Sequence, residues 1–130
     1  LYLAPPILRA VAEEGYTVPT PIQARAIAPL MDGKDLMGIA QTGTGKTAAF
    51  ALPLLHRLAG INQKTKKRST RALILAPTRE LANQIHSCIK TYSKYLHLKT
   101  AVAYGGVSIN RKISKLHHFA LNLYSWGFYY

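Results

Sequence analysis

The stretch Ala40-Gln41-Thr42-Gly43-Thr44-Gly45-Lys46-Thr47 carries the residue types that hold phosphate. Gly43 and Gly45 permit positive φ and let the backbone come close to an anion. Such a loop aims several backbone N–H groups, and the positive end of the following helix, at one point. Lys46 adds a cation for β- and γ-phosphates, and the Thr47 hydroxyl is a ligand for Mg²⁺. The implied ligand is a nucleoside triphosphate. The general phosphate-loop pattern begins with Gly, and Ala40 stands in that place here. Taken alone, the loop also reads as a Gly/Thr-rich turn with a chance Lys-Thr.

Upstream lies Tyr16-Thr17-Val18-Pro19-Thr20-Pro21-Ile22-Gln23. The Gln23 side-chain amide offers both a donor, its NH₂, and an acceptor, its carbonyl. That pair matches the adenine edge, which presents an N6 donor and an N7 acceptor. An exposed Gln at a helix start is ordinary by itself. The Pro-Thr-Pro frame and the loop downstream favour the adenine reading.

Positioning these groups takes regular elements. Pro6–Glu14 suits an amphipathic helix with Ile7, Leu8 and Val11 on one side, ended by Gly15 as a positive-φ cap. Thr20 is a good N-cap and Pro21 a good first helical residue, so a second helix runs to about Leu30. Asp32–Asp35 turns into an apolar strand at Leu36–Ile39. A helix after the loop reaches about Leu58. A second strand fits Ala72–Ala76. Leu81, Ile85, Cys88, Ile89 and Tyr92 recur at helical spacing and mark a buried face. A third strand fits Thr100–Tyr104, and Ile109–Leu116 suits a short helix. Strands alternating with helices imply an α/β fold with a parallel sheet flanked by helices.

Composition narrows the partners. The 130 residues carry 17 Lys/Arg against 5 Asp/Glu, a net charge of +12, which favours a polyanion such as nucleic acid. The run Lys64–Arg71 reads equally as a solubilising loop or as an RNA contact. No apolar run is long enough to span a bilayer, and the start lacks the pattern of a signal peptide. The single Cys88 excludes an internal disulfide and fits a reducing, cytoplasmic setting.

On these residues the chain resembles the DEAD-box ATP-dependent RNA helicases. Gly15–Gln23 looks like their Q motif, and Ala40–Thr47 is similar to motif I, with Ala40 as the family's own variant. Pro77-Thr78-Arg79-Glu80-Leu81-Ala82 matches motif Ia, and Gly105-Gly106 resembles the GG motif. The wording looks closest to the bacterial RhlE type. The resemblance implies residues 1–116 as part of the first RecA-like lobe, a P-loop NTPase fold. It implies ATP and Mg²⁺ as cofactors and RNA as partner. Tyr16, Gln23 and Ala40, Gln41, Thr42, Gly43, Thr44, Gly45, Lys46 and Thr47 would bind nucleotide. Lys46 would serve the phosphates and Thr47 the Mg²⁺. Pro77, Thr78, Arg79, Gly105 and Gly106 would grip RNA. Pro77–Arg79 falls where a strand ends and a helix begins, and Arg79 is a forked cation suited to phosphate. A helix cap and a tight turn are the plainer readings of these two motifs.

Three departures matter. The aromatic that the family stacks on adenine would precede Leu1. The motif wording stops near Leu116, where the family continues with a strand and Thr-Pro-Gly-Arg, so 117–130 reads as a non-family tail. The abrupt change suggests a truncated or frameshifted frame. No Asp or Glu follows Glu80, so the Asp-Glu-Ala-Asp carboxylates for Mg²⁺ and the attacking water are missing. The expectation is nucleotide binding without autonomous ATP turnover. The alternative is a basic RNA-binding module that does not use ATP. An unrelated P-loop ATPase is a third reading, against which the Gln23 frame and motif Ia stand. A three-stranded sheet also leaves an open edge, which the apolar tail would either cover or turn into an aggregation site.

Overall fold

Proline and glycine chemistry sets the first two helices. In the computed structural model, which describes residues 2–60, 70–104 and 121–125, α1 spans Pro5–Glu13 and α2 spans Pro21–Met31. Each opens on proline, whose missing N–H costs nothing in a first turn. Gly15 (φ 79°) and Gly33 (φ 81°) follow the two helices in the left-handed region that side chains disfavour. On α1 the buried residues are Ile7 and Ala10, while Leu8 is exposed. The apolar face is therefore Ile7 with Ala10, rather than the expected Ile7, Leu8 and Val11.

The helix after the loop, α3, spans Lys46–Gly60 and forms the core of the N-terminal part. Ala48, Ala49, Ala51, Leu52, Leu55 and Leu58 are buried on it. It packs against α2, which buries Ala26 and Ile27, and touches α1. Alanines along α3 permit close helix approach, and full burial of Ile7, Ile27 and Leu55 contributes roughly 1.5–3 kcal/mol each. His56 of α3 accepts the N–H of Ala4, the N-cap of α1, at 3.0 Å. This unit comprises Leu1–Asn62 with Thr91–Leu96.

The second unit, Gln63–Lys90 with His97–Tyr130, holds the sheet. β1 is Ala72–Ala76, α4 is Arg79–Tyr92, β2 is Thr100–Tyr104 and β3 is Leu121–Ser125. The order is β1-β3-β2, all parallel. Register runs from Ala72↔Leu121 to Ala76↔Ser125 on one side and from Thr100↔Leu121 to Tyr104↔Ser125 on the other. Parallel strands of one sheet require long connections, and α4 lies on the one between β1 and β2, which both pair with β3. Ala82, Ile85 and Ile89 of α4 are buried, as are Ala76, Ala101 and Ala103 of the strands. Cys88 is half-buried, and burial pushes its thiol pKa up, as for a packing thiol.

Two expectations about the sheet are corrected. Leu36–Ile39 is not a strand: it runs without sheet pairing, with Met37 89% and Ile39 87% exposed. Strand identity needs a neighbour for the backbone groups, and apolar composition alone does not provide one. Among the described residues, the strand pairing joins β1, β3 and β2. Conversely, Leu121–Ser125 neither covers an edge nor stands apart as a tail. It is the central strand of the described sheet, between β1 and β2. The expected helix at Ile109–Leu116 lies outside the described residues.

Candidate functional site

The turn between the unpaired segment and α3 is shaped by glycine. Gly43 (φ 80°) and Gly45 (φ 83°) both take the left-handed region, and α3 begins immediately afterwards at Lys46. The first intrahelical bond runs from the Ala49 N–H to the Gly45 carbonyl at 3.1 Å. A helix start leaves its first N–H groups without helical partners, which suits them to an anion. Gln41, Thr42, Gly43 and Lys46 are exposed; Ala40, Thr44, Gly45 and Thr47 are half-buried.

The loop is braced internally. The Thr44 hydroxyl donates to the Gln41 carbonyl at 2.6 Å. The Lys46 ammonium donates to the Ala40 carbonyl at 2.6 Å. That places a cation across the mouth of the turn, held by a neutral acceptor. A phosphate oxygen is a charged acceptor and makes the stronger bond, so it can draw Lys46 away from Ala40. The residue at position 40 contributes through its backbone, so Ala in place of Gly keeps this contact.

Thr20 and Gln23 bolt the Pro-Thr-Pro segment onto the loop. The Thr20 hydroxyl donates to the Thr44 carbonyl at 2.8 Å. Gln23 Nε2 donates to the Gly45 carbonyl at 3.2 Å, and Gln23 Oε1 accepts the Thr20 N–H at 3.0 Å. The last bond is one half of a capping box. A Cβ on Gly45 would stand 2.3 Å from Gln23 Nε2 and 3.2 Å from Thr20 Oγ1. Positive φ favours glycine at position 45, and a Cβ there would push the Gln23 amide out of its present place. Gln23 is engaged on both ends of its amide. An amide has two N–H groups and a carbonyl with two lone pairs, so one donor and one acceptor remain for a base edge. Tyr16 is exposed.

The second cluster opens α4. Pro77, Thr78 and Arg79 are exposed where β1 ends. Thr78 caps the helix: its Oγ1 accepts the Leu81 N–H at 3.1 Å and its carbonyl accepts the Ala82 N–H at 3.1 Å. The cap reading and the anion reading are compatible, because one hydroxyl satisfies only one of the first-turn donors. His86 is tied to Thr100 at 2.9 Å, which pins α4 to the start of β2. Gly105 and Gly106 lie outside the described residues.

Sequence reasoning missed two things. It assigned Thr20 only as an N-cap, whereas its hydroxyl reaches a carbonyl in the loop. It also missed a surface cluster on Glu13. The Glu13 carboxylate accepts the Tyr95 hydroxyl and pairs with Lys94 and Arg9, and the Arg9 guanidinium lies 4.0 Å from the Tyr95 ring centroid. The Arg9–Glu13 spacing (i, i+4) was readable. Nothing local announces partners so distant along the chain.

The family model described as DEAD/DEAH box helicase matches residues 20–125 and so includes β3. The pre-mRNA-processing ATP-dependent RNA helicase prp-5 of Neurospora crassa is 43% identical over 114 residues, covering 88% of this chain and 10% of that protein. DEAD-box ATP-dependent RNA helicase 28 of Arabidopsis thaliana is 47% identical over 112 residues, covering 86% of this chain and 14% of its own length. The chain thus spans between about a tenth and a seventh of these relatives. The crystal structure of a hypothetical ATP-dependent RNA helicase from Sulfolobus tokodaii superposes with a TM-score of 0.78 at 31% identity, covering 92% of this chain and 33% of that one. The fold is accordingly a partial RecA-like α/β lobe.

Proposed function

The chain belongs to the DEAD/DEAH box helicase family, and from that premise we propose that it is the nucleotide-holding part of an ATP-dependent RNA helicase, with RNA as the partner of its basic surface. The observation that carries this reading is the joint between Gln23 and Gly45. It brings an adenine-matching amide and a phosphate-type turn into one bonded unit. Gly43, Gly45, the first amides of α3 and the Lys46 ammonium fit a polyphosphate. The Thr47 hydroxyl, on the same turn, is the group for Mg²⁺. Bound Mg²⁺ supplies charge neutralisation across the phosphates. RNA contact falls to the exposed Pro77–Arg79 segment and to Gly105 and Gly106.

Catalytic turnover needs carboxylates that orient metal and water. The acids of this chain are Glu13, Glu14, Asp32, Asp35 and Glu80. Glu13 is committed to Lys94 and Tyr95, and none of the five lies in the phosphate turn. The proposal is therefore nucleotide binding without autonomous ATP hydrolysis by these 130 residues, in a cytoplasmic setting. The wording of the motifs points to a bacterial RhlE type; the sequence relatives compared above, from Neurospora crassa and Arabidopsis thaliana, are eukaryotic and lend that assignment no support.

Titration calorimetry of the chain with ADP, ATP and GTP tests the reading. Adenine nucleotides should bind, GTP should bind more weakly, and Lys46→Ala should weaken ADP at least tenfold. RNA-stimulated ATP turnover by the chain would refute the claim of inactivity. A second reading, an RNA-binding module that ignores ATP, draws on the +12 charge. It is favoured if RNA affinity, steeply salt-dependent in either case, is indifferent to nucleotide and to Lys46→Ala.

A further inference from the structure

We propose that Glu13 is a positioning residue for the nucleotide site: through α1 it sets the point from which Tyr16–Gln23 runs to the phosphate turn. The inference rests on the nucleotide reading given above. Its basis is a row of short, stiff links, all within the unit of Leu1–Asn62 and Thr91–Leu96.

The first link is the cluster itself. Glu13 is the last residue of α1. One carboxylate oxygen accepts the Tyr95 hydroxyl and lies 3.4 Å from Arg9 Nε; the other pairs with the Lys94 ammonium. Arg9 stacks over the Tyr95 ring, and the Lys94 ammonium is 5.5 Å from the same ring. Three groups thus converge on one carboxylate, and two of them come from outside α1. Lys94 and Tyr95 are themselves anchored. They lie in a turn closed by the Leu96 N–H to the Ser93 carbonyl at 2.8 Å, and Tyr92 and Ser93 beside them are buried.

The second link is the exit from α1. The N–H groups of Glu14, Gly15 and Tyr16 donate to the carbonyls of Ala10, Ala12 and Val11 at 3.3, 3.0 and 3.3 Å. The chain leaving the helix is therefore wrapped onto it, and the direction of Tyr16 follows the orientation of α1. The third link is Thr17–Pro21, where two prolines fix φ and restrict the residues before them. The last link is Thr20 and Gln23 on the carbonyls of Thr44 and Gly45. A shift of α1 at Glu13 is thereby delivered to the two hydrogen bonds that hold the turn.

An isolated surface ion pair does little, and Glu13 and Lys94 keep 39% and 36% of their side-chain surface. The converging groups, not any single pair, make the cluster a clamp. The perturbed titration of the carboxyl agrees: the Lys94 ammonium first, then the Tyr95 hydroxyl, hold Glu13 below the usual carboxylate range.

The test is a double-mutant cycle on the 130-residue chain, comparing Glu13→Ala, the pair Lys94→Ala with Tyr95→Phe, and all three together. Affinity for a fluorescent ADP analogue and hydrogen exchange of the Thr20 amide, the donor to Gln23, are read in each. Glu13→Ala should weaken binding about two- to fivefold, the range of a modest surface network, and speed Thr20 exchange. The Lys94/Tyr95 pair should do the same, and the combination no more than either, because both remove one clamp. Glu13→Gln, which keeps an acceptor for Tyr95, should fall between. Unchanged affinity and exchange in Glu13→Ala, or additive effects in the triple variant, would overturn the proposal. If the unmodified chain does not bind ADP, the nucleotide reading fails, and Thr20 exchange without nucleotide still decides whether Glu13 positions the segment.

Discussion

Gln23 Nε2 donates to the carbonyl of Gly45 at 3.2 Å and lies 2.3 Å from where a Cβ of that glycine would stand. The place of the amide read as adenine-selective therefore depends on the absence of a Cβ at position 45. The contact joins residues 22 apart in sequence.

The two turn glycines should respond differently to alanine. Gly43→Ala meets open space and bears only the left-handed penalty, on the order of 1 kcal/mol. Gly45→Ala bears that penalty and also displaces Gln23. Chemical denaturation should show a similar small loss in Gly43→Ala and a larger one in Gly45→Ala. ADP binding should drop at least tenfold further in Gly45→Ala.

Gln23 tests the joint from the other side. Gln23→Ala leaves the Thr20 N–H and the Gly45 carbonyl without these partners, a loss of about 1 kcal/mol for each such bond. Gln23→Glu keeps the acceptor for Thr20 but sets a carboxylate against the Gly45 carbonyl. Calorimetry should show both variants weakening ADP by about tenfold or more, with Gln23→Glu the worse of the two.

The Glu13 clamp should give stability a pH dependence with two limbs. The carboxyl is held below its usual range, so its contribution is full above the ordinary glutamate value of about 4.3. That contribution is lost as pH falls from there through the depressed folded value. Lys94, raised chiefly by its bond to Glu13, behaves oppositely. Its contribution is full below about 10.4 and is lost as pH rises through the raised folded value. Tyr95 is raised by the same carboxylate and fails on the alkaline side too. Thermal midpoints measured from pH 3 to 11 should flatten on the acid limb in Glu13→Gln.

β3 should be indispensable to the sheet. Both β1 and β2 pair with β3 and not with one another. Ending the chain at Ala120 should therefore release both strands. Hydrogen exchange should show slow amides at Leu121–Ser125 in the whole chain, and fast amides at Ala72–Ala76 and Thr100–Tyr104 in the shortened one. Persistent protection of β1 and β2 without β3 would contradict the topology.

Helices and caps were legible because their signals are local. Pro21 after Thr20, Gly15 after α1, and the spacing of Ile85, Ile89 and Tyr92 each involve residues within a turn or two. The phosphate turn was legible for the same reason: Gly43, Gly45 and Lys46 state their geometry through φ and charge. The segment Leu36–Ile39 misled, because apolar content is also what an unpaired stretch can have. Leu121–Ser125 went unseen as a strand for the converse reason, since its motif wording departs while its backbone finds two partners.

The sequence by itself determined the α/β alternation, the phosphate-type turn, the proline-framed Gln23 and the family to which these belong. Tertiary structure alone decided which stretch sits at the centre of the sheet, that Thr20 and Gln23 close on Thr44 and Gly45, and that Glu13 meets Lys94 and Tyr95. The physical reason is range. Capping and φ preferences act over a few residues, whereas sheet pairing and side-chain bonds across 22 or 82 positions exist only once the chain has folded.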